Sequence, residues 1–190
     1  MKHLRQYIRR VLLENSSLSS QVYSFFQDAI GFEQLLRRDV PSREQLGTNR
    51  PAVYIKYVKD GCECLFVLED RETFDPISSN MINVVWIHSL RTYPEKECQG
   101  KGLGSHVMRT LVTFADQYGL HLQGDVVPYG DTKMDQEGMA AFDARFGLLP
   151  LKAYAQHVNK DDWDEYRQED FDEILEDSTL VWRPPIGYMP

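Results

Sequence analysis

The sequence predicts an α/β domain with a mixed sheet, and three stretches carry that prediction. Ala52 to Lys59 is rich in β-branched and aromatic residues, and Cys62 to Glu69 returns after Asp60-Gly61. Asp-Gly supplies the positive φ angles of a type I′ turn, so the pair reads as a β-hairpin. Met81 to Thr92 is a long apolar run, expected to be a strand buried on both faces. Leu103 to Tyr118 then has helical periodicity, with Gly119 in C-cap position.

The remaining elements follow in order. Leu4, Tyr7, Ile8, Val11 and Leu12 recur at helical spacing within residues 1–14, with Lys2, Arg5, Arg9 and Arg10 on much of the other side. Ser16 to Ser20 is a polar break. A second helix is expected from Val22 to about Arg38, interrupted only by Gly31, and Pro41 to Pro51 is a loop. Leu120 to Val127 reads as a strand. Thr132 or Asp135 can cap a helix that runs to Phe146 and closes at Gly147. Leu149 to His157 is expected as a strand, the acidic stretch after it as a helix, and Thr179 to Arg183 as the last strand. Residues 1–50 are thus taken as an N-terminal helical segment, and residues 51–190 as the main domain with an acidic helical insertion at about 159–177.

At 190 residues the chain suits one domain. Such a domain buries roughly 70% of the surface its unfolded chain exposes, so it needs neither disulfides nor metal. The three cysteines are odd in number, and Cys62 and Cys64 lack a second pair for a zinc site. They are expected as free thiols in a reducing compartment, and no metal is expected. No stretch approaches the ~20 apolar residues of a membrane span, and no signal peptide is read at the start. A cytoplasmic protein is expected. Between Asn159 and Asp177 ten acids face two bases, so this segment alone accounts for the formal net charge of -8. The basic stripe that nucleic-acid backbones require is missing, which argues against general nucleic-acid binding.

The chemistry centres on Gln99-Gly100-Lys101-Gly102-Leu103-Gly104-Ser105, which follows a strand and opens a helix. The glycines allow a tight turn that points consecutive N–H groups at one place, and the helix start adds its own N–H groups and positive dipole end. Together they suit a pyrophosphate, with Lys101 adding charge at the rim. The loop is not a nucleotide P-loop, since no Gly-Lys-Ser/Thr ends it, and its glycine spacing is not a dinucleotide fingerprint.

Leu90-x-x-x-Pro94-Glu95 followed by Gln99 to Gly104 resembles the acetyl-CoA signature of the GCN5-related N-acetyltransferase (GNAT) superfamily. Ala140 to Leu148 resembles the family's next helix and its closing aromatic-rich turn. The resemblance spans roughly residues 51–156. It implies a mixed, mostly antiparallel sheet, splayed at the central strand and flanked by helices, with acetyl-CoA as co-substrate. Backbone N–H groups from Gln99 to Ser105 would hold the pyrophosphate, and Leu90, Arg91 and Thr92 would pair with the pantetheine arm. A backbone N–H beside the thioester carbonyl would stabilise the oxyanion as an amine attacks.

Two groups of the family pattern are absent. Asp143 stands where the family often has a tyrosine acid, and it is ionised at neutral pH unless burial raises its pKa. The strand position that carries a glutamate base in some members falls in Val84-Val85-Trp86. His88 is the nearest titratable alternative, and Tyr129 and Tyr154 are alternative acids. Two functions are therefore carried forward: an N-acetyltransferase acting on an amine, and a degenerate GNAT-like binding or assembly module. Acidic character tilts the acceptor toward a cationic amine. The terminal basic and acidic helices could pair, within one chain or across a homodimer.

Overall fold

A computed structural model of the chain describes residues 18–29, 31–40, 52–75, 80–126, 134–157 and 179–188. The helix expected over residues 1–14, the acidic segment and Tyr129 lie outside the described residues, so the pairing of terminal helices does too. The fold is α/β, with a seven-stranded sheet in the order β1-β2-β3-β4-β5-β7-β6. Its strands are β1 (Phe32–Leu35), β2 (Ala52–Lys59), β3 (Cys62–Phe74), β4 (Met81–Tyr93), β5 (His121–Asp125), β6 (Leu149–Pro150) and β7 (Leu180–Arg183). The main helices are α1 (Leu18–Gln27), α2 (Leu103–Tyr118) and α3 (Gln136–Ala144). The β4–β5 pair is parallel; β1–β2, β2–β3, β5–β7 and β6–β7 are antiparallel. The chain divides into two compact units, residues 1–70 with 89–104, and residues 71–88 with 105–190.

In the first unit, the β2–β3 hairpin turns on Asp60 at φ 51 and Gly61 at φ 74, the conformation expected of Asp-Gly. β3 runs beyond the expected Glu69 to Phe74. The hairpin buries Val53, Tyr54, Ile55, Tyr57, Leu65, Phe66, Val67 and Leu68, a core that α1 completes with Val22 and Phe26. The Phe26 ring meets Phe32 at 4.9 Å and Phe66 at 5.2 Å. Lys56 bridges three strands, its ammonium 2.6 Å from Glu33 on β1 and 3.4 Å from Glu63 on β3. The Glu33 hydrogen bond is the main reason its pKa is raised, against a smaller opposing effect of burial.

The single helix expected from Val22 to Arg38 does not form. α1 ends at Gln27, and Phe32–Leu35 instead pairs with β2, followed by a short 3₁₀ turn at Arg37–Asp39. The reason is tertiary. Gly31 holds φ +89, and its carbonyl accepts a 2.9 Å hydrogen bond from the Val58 N–H. A Cβ there would sit 2.9 Å from both the Val58 oxygen and the Tyr57 ring. Gly31→Ala is therefore expected to cost roughly 2–3 kcal/mol, read as a lower urea midpoint with an unchanged m-value. A midpoint equal to wild type would refute the close approach.

In the second unit, β4 and β5 run parallel from Val84↔His121 to Ile87↔Gly124. Burial on both faces of β4 holds at Val84 and Val85 alone, and Met81 is exposed. α2 has the predicted bounds and buries Val107, Met108, Leu111, Phe114 and Ala115. It ends on Gly119 at φ +66, where the Leu120 N–H reaches the Ala115 carbonyl at 2.9 Å. Asp135 caps α3, its carboxylate accepting from the Gly138 N–H at 2.8 Å. The strand expected from Leu149 to His157 shrinks to β6, and Leu151–His157 is 3₁₀ helix. That turn buries Leu151 and Tyr154 against Trp182, a packing that period-2 alternation does not anticipate. Arg183 forks onto both oxygens of Asp116 at 2.8 Å, tying β7 to α2.

Candidate functional site

The glycine loop belongs to the first unit, together with Leu90, Arg91 and Thr92 at the end of β4. A single helical turn, Glu95–Cys98, leads into it, and the Cys98 N–H donates to the Pro94 carbonyl at 3.0 Å. Gly100 and Gly102 both adopt φ +81, with nothing within 4 Å of where a Cβ would stand. Such angles are open to glycine and strained for other residues. The loop is pinned at both ends: Cys98 is buried at its start, and Leu103 is buried where α2 begins. Gln99 is half-buried, whereas Gly100, Lys101 and Gly102 are exposed. The opening N–H groups of α2, including Gly104 and Ser105, have no acceptor within the helix by virtue of its geometry. The space beside Gly100 and Gly102 is thus open, while the Lys101 N–H turns back onto the Cys98 carbonyl at 3.4 Å. An anion approaching it meets donors and the positive end of α2.

Cys98 is not a free thiol. It forms a disulfide with Cys62, the first residue of β3, at a Cα–Cα distance of 5.7 Å. The expectation of three free thiols is therefore corrected; Cys64 remains free and fully buried, and burial pushes its thiol up to about 12. A separation of 36 residues closes because the β2–β3 turn and the start of the glycine loop come together. No local pattern encodes that meeting. The ammonium of Lys101, expected at a phosphate rim, stands 3.5 Å from the Cys62 sulfur.

The three catalytic candidates belong to the second unit. His88 lies half-buried on β4. Asp143 lies in the last turn of α3, and its backbone carbonyl accepts from the N–H groups of Phe146 at 2.9 Å and Leu148 at 3.2 Å. Asp143 is half-buried, and this burial pushes its carboxyl up to about 7, far above the usual carboxylate range. Tyr154 is buried, and its hydroxyl reaches the carbonyls of Trp182 at 3.1 Å and Gly147 at 3.3 Å. Its ring meets Trp182 edge-on at 4.8 Å, and burial raises its pKa against a smaller opposing effect of Arg183.

A polar cluster that sequence reasoning did not single out lies behind β5. His121 stacks on Trp182 at 5.3 Å and meets the Tyr188 ring edge-on at 4.5 Å. Tyr188 donates its hydroxyl to the fully buried Asp75. Desolvation lowers the His121 pKa, against a smaller opposing pull from Asp75, so the ring is neutral at physiological pH. The cluster ties the segment after β7 to the loop before β4.

Among the described residues, no group of three or more His, Cys, Asp or Glu is arranged to hold a metal. No helix among them is long and apolar enough to cross a membrane. Comparison with known proteins finds no matching family model, no matching curated protein and no matching solved structure.

Proposed function

We propose that the chain is a GNAT-type N-acetyltransferase that binds acetyl-CoA through Gln99 to Ser105 and transfers the acetyl group to an amine. The observation that carries this reading is the turn itself. Gly100 and Gly102 share a left-handed angle that only glycine holds without strain, and the chain passes directly from them into a 16-residue helix. In this reading, the N–H groups of the turn and the first turn of α2 hold the pyrophosphate. Leu90, Arg91 and Thr92 offer backbone groups to the pantetheine arm, as a sheet splayed at β4 would require. The early end of the β4–β5 register at Ile87↔Gly124, with β4 running on to Tyr93, supports that arrangement.

Acetyl-CoA supplies an activated thioester, and the chain's own groups manage charge and protons. A backbone N–H of the Leu90–Thr92 stretch is assigned to the carbonyl oxygen, where negative charge develops. His88 is the nearest titratable candidate along the chain for the base that takes the amine's proton. The resemblance makes Asp143 the candidate acid for the departing sulfur, and burial raises its carboxyl pKa to about 7. Tyr154 is assigned to packing, since its hydroxyl is already engaged by two carbonyls.

A binding module without turnover is the second reading, favoured by Val84 and Val85 standing buried where some family members carry a base. Calorimetric titration with acetyl-CoA, followed by thiol release with a panel of amines, separates the two. The enzyme reading expects saturable binding and release with at least one amine. Binding without release across cationic and neutral amines moves the module ahead. Absence of binding at high micromolar ligand overturns the enzyme reading and the assignment of the loop.

A further inference from the structure

We propose that the Cys62–Cys98 disulfide is a thiol-switchable latch on the glycine loop, closed in the form competent to bind acetyl-CoA and loosened on reduction. The proposal concerns regulation of the site named above and rests on that reading for its ligand. Three features of the first unit carry it.

The disulfide anchors the loop at its root. Cys98 directly precedes Gln99, and the bond ties it to the first residue of β3, next to the Asp60-Gly61 turn. Between the buried Cys98 and Leu103, the rest of the anchoring is slight. The helical turn before the loop has four residues, and the Lys101 N–H reaches the Cys98 carbonyl only at 3.4 Å. Two glycines follow at left-handed angles with open space around them. Glycine-rich backbone has much conformational freedom to lose on binding. A covalent anchor reduces that freedom before the ligand arrives.

The bond is also placed to be exchanged. The Lys101 ammonium stands 3.5 Å from the Cys62 sulfur and stabilises it as a thiolate, which makes Cys62 the better leaving group. Both cysteines are buried, but Gly100, Lys101 and Gly102 of the loop are exposed, so loop opening admits a reductant. The thiolate of a dithiol attacks the Cys98 sulfur, the S–S bond breaks, and Cys62 departs as a thiolate facing Lys101. The second thiol of the reductant then attacks the mixed disulfide, releasing Cys98. Two electrons and two protons pass to the protein, and the reductant leaves as a disulfide. Cys64 takes no part, because it is fully buried with its thiol held protonated.

The test uses the intact wild-type chain, prepared under air and after treatment with a dithiol. Thiol titration after denaturation should find one free thiol per chain under air, Cys64, and three after reduction. Hydrogen exchange across Gln99 to Gly104 should quicken about fivefold or more on reduction. The Kd for acetyl-CoA should weaken about tenfold, and reoxidation with glutathione disulfide should restore it. Cys98→Ser should match the reduced wild type with or without reductant, and a remaining redox response in it overturns the proposal. So do three free thiols under air, or exchange and affinity that ignore reduction. If neither form binds acetyl-CoA, the functional reading of the loop fails. The exchange comparison then decides the latch by itself: faster exchange upholds it, and unchanged exchange overturns it.

Discussion

A Gly102→Val variant is expected to bind acetyl-CoA at least about a hundredfold more weakly while staying folded. At φ +81 a side chain is strained, but nothing lies within 4 Å of its Cβ, so the cost to folding is conformational. That cost is about 1–2 kcal/mol, against the 5–15 kcal/mol typical of a domain. The functional loss is larger. A β-branched side chain fills the space beside the loop and, in the proposed reading, turns the flanking N–H groups away from the pyrophosphate. Losing two charge-assisted hydrogen bonds at about 1.5 kcal/mol each removes about 3 kcal/mol, or roughly a hundredfold in Kd. Gly187→Val is the matched control, since Gly187 also sits at φ +81 with nothing within 4 Å but lies outside the loop. Both variants should lose similar stability in thermal melts, and only Gly102→Val should lose affinity in calorimetry. Equal affinities in the two variants would detach the loop from coenzyme binding.

The fold was legible wherever one residue type has one backbone consequence. Asp60-Gly61 dictates the hairpin, Gly119 ends α2, and Asp135 caps α3, each through local chemistry that needs no partner. Legibility fails where a distant contact decides. Val22 to Arg38 has helical spacing, but Gly31 is pressed against Val58 and Tyr57, and the segment beyond gains more by pairing with β2 than by continuing the helix. Leu151 to His157 fails likewise. Its apolar residues fit a strand, yet Tyr154 finds its two carbonyl acceptors and the Trp182 ring only by turning as a 3₁₀ helix.

The candidate site divides along the same line. The loop is a local motif, so its glycines, its two positive φ angles and its entry into α2 could be read from residues 99–105 alone. Its covalent anchor could not, because Cys62 and Cys98 become neighbours only after the hairpin and the loop have met. Asp143 was legible as a position but not as a chemical state. A carboxylate in sequence looks ionised, and only folding around α3 supplies the burial that raises its pKa. The chemistry proposed for this chain thus depends on what burial does to an ordinary side chain, which no motif records.

Asp143→Asn tests that point and should have the largest effect on turnover. If Asp143 protonates the departing sulfur, the variant should lose about 10²–10⁴-fold in kcat while its affinity for acetyl-CoA is retained. The pH profile carries the stronger argument. The acid is active while protonated, so wild-type kcat should fall about tenfold per unit above the carboxyl's pKa of about 7, and the variant's residual rate should lack that limb. Stability follows the same titration. The folded pKa is raised from 3.8 to about 7, so the folded chain holds this proton more tightly than the unfolded chain. The contribution to stability is fully present below the unfolded value and is lost as pH rises through about 7. Above that pH wild type holds a half-buried charge that asparagine does not carry, and Asp143→Asn should melt higher relative to wild type at pH 8 than at pH 5. A Tm difference that stays constant across this range would mean that the carboxyl does not titrate near neutrality. The proton would then have to come from another group, and the assignment of Asp143 would fall even if the variant were slow.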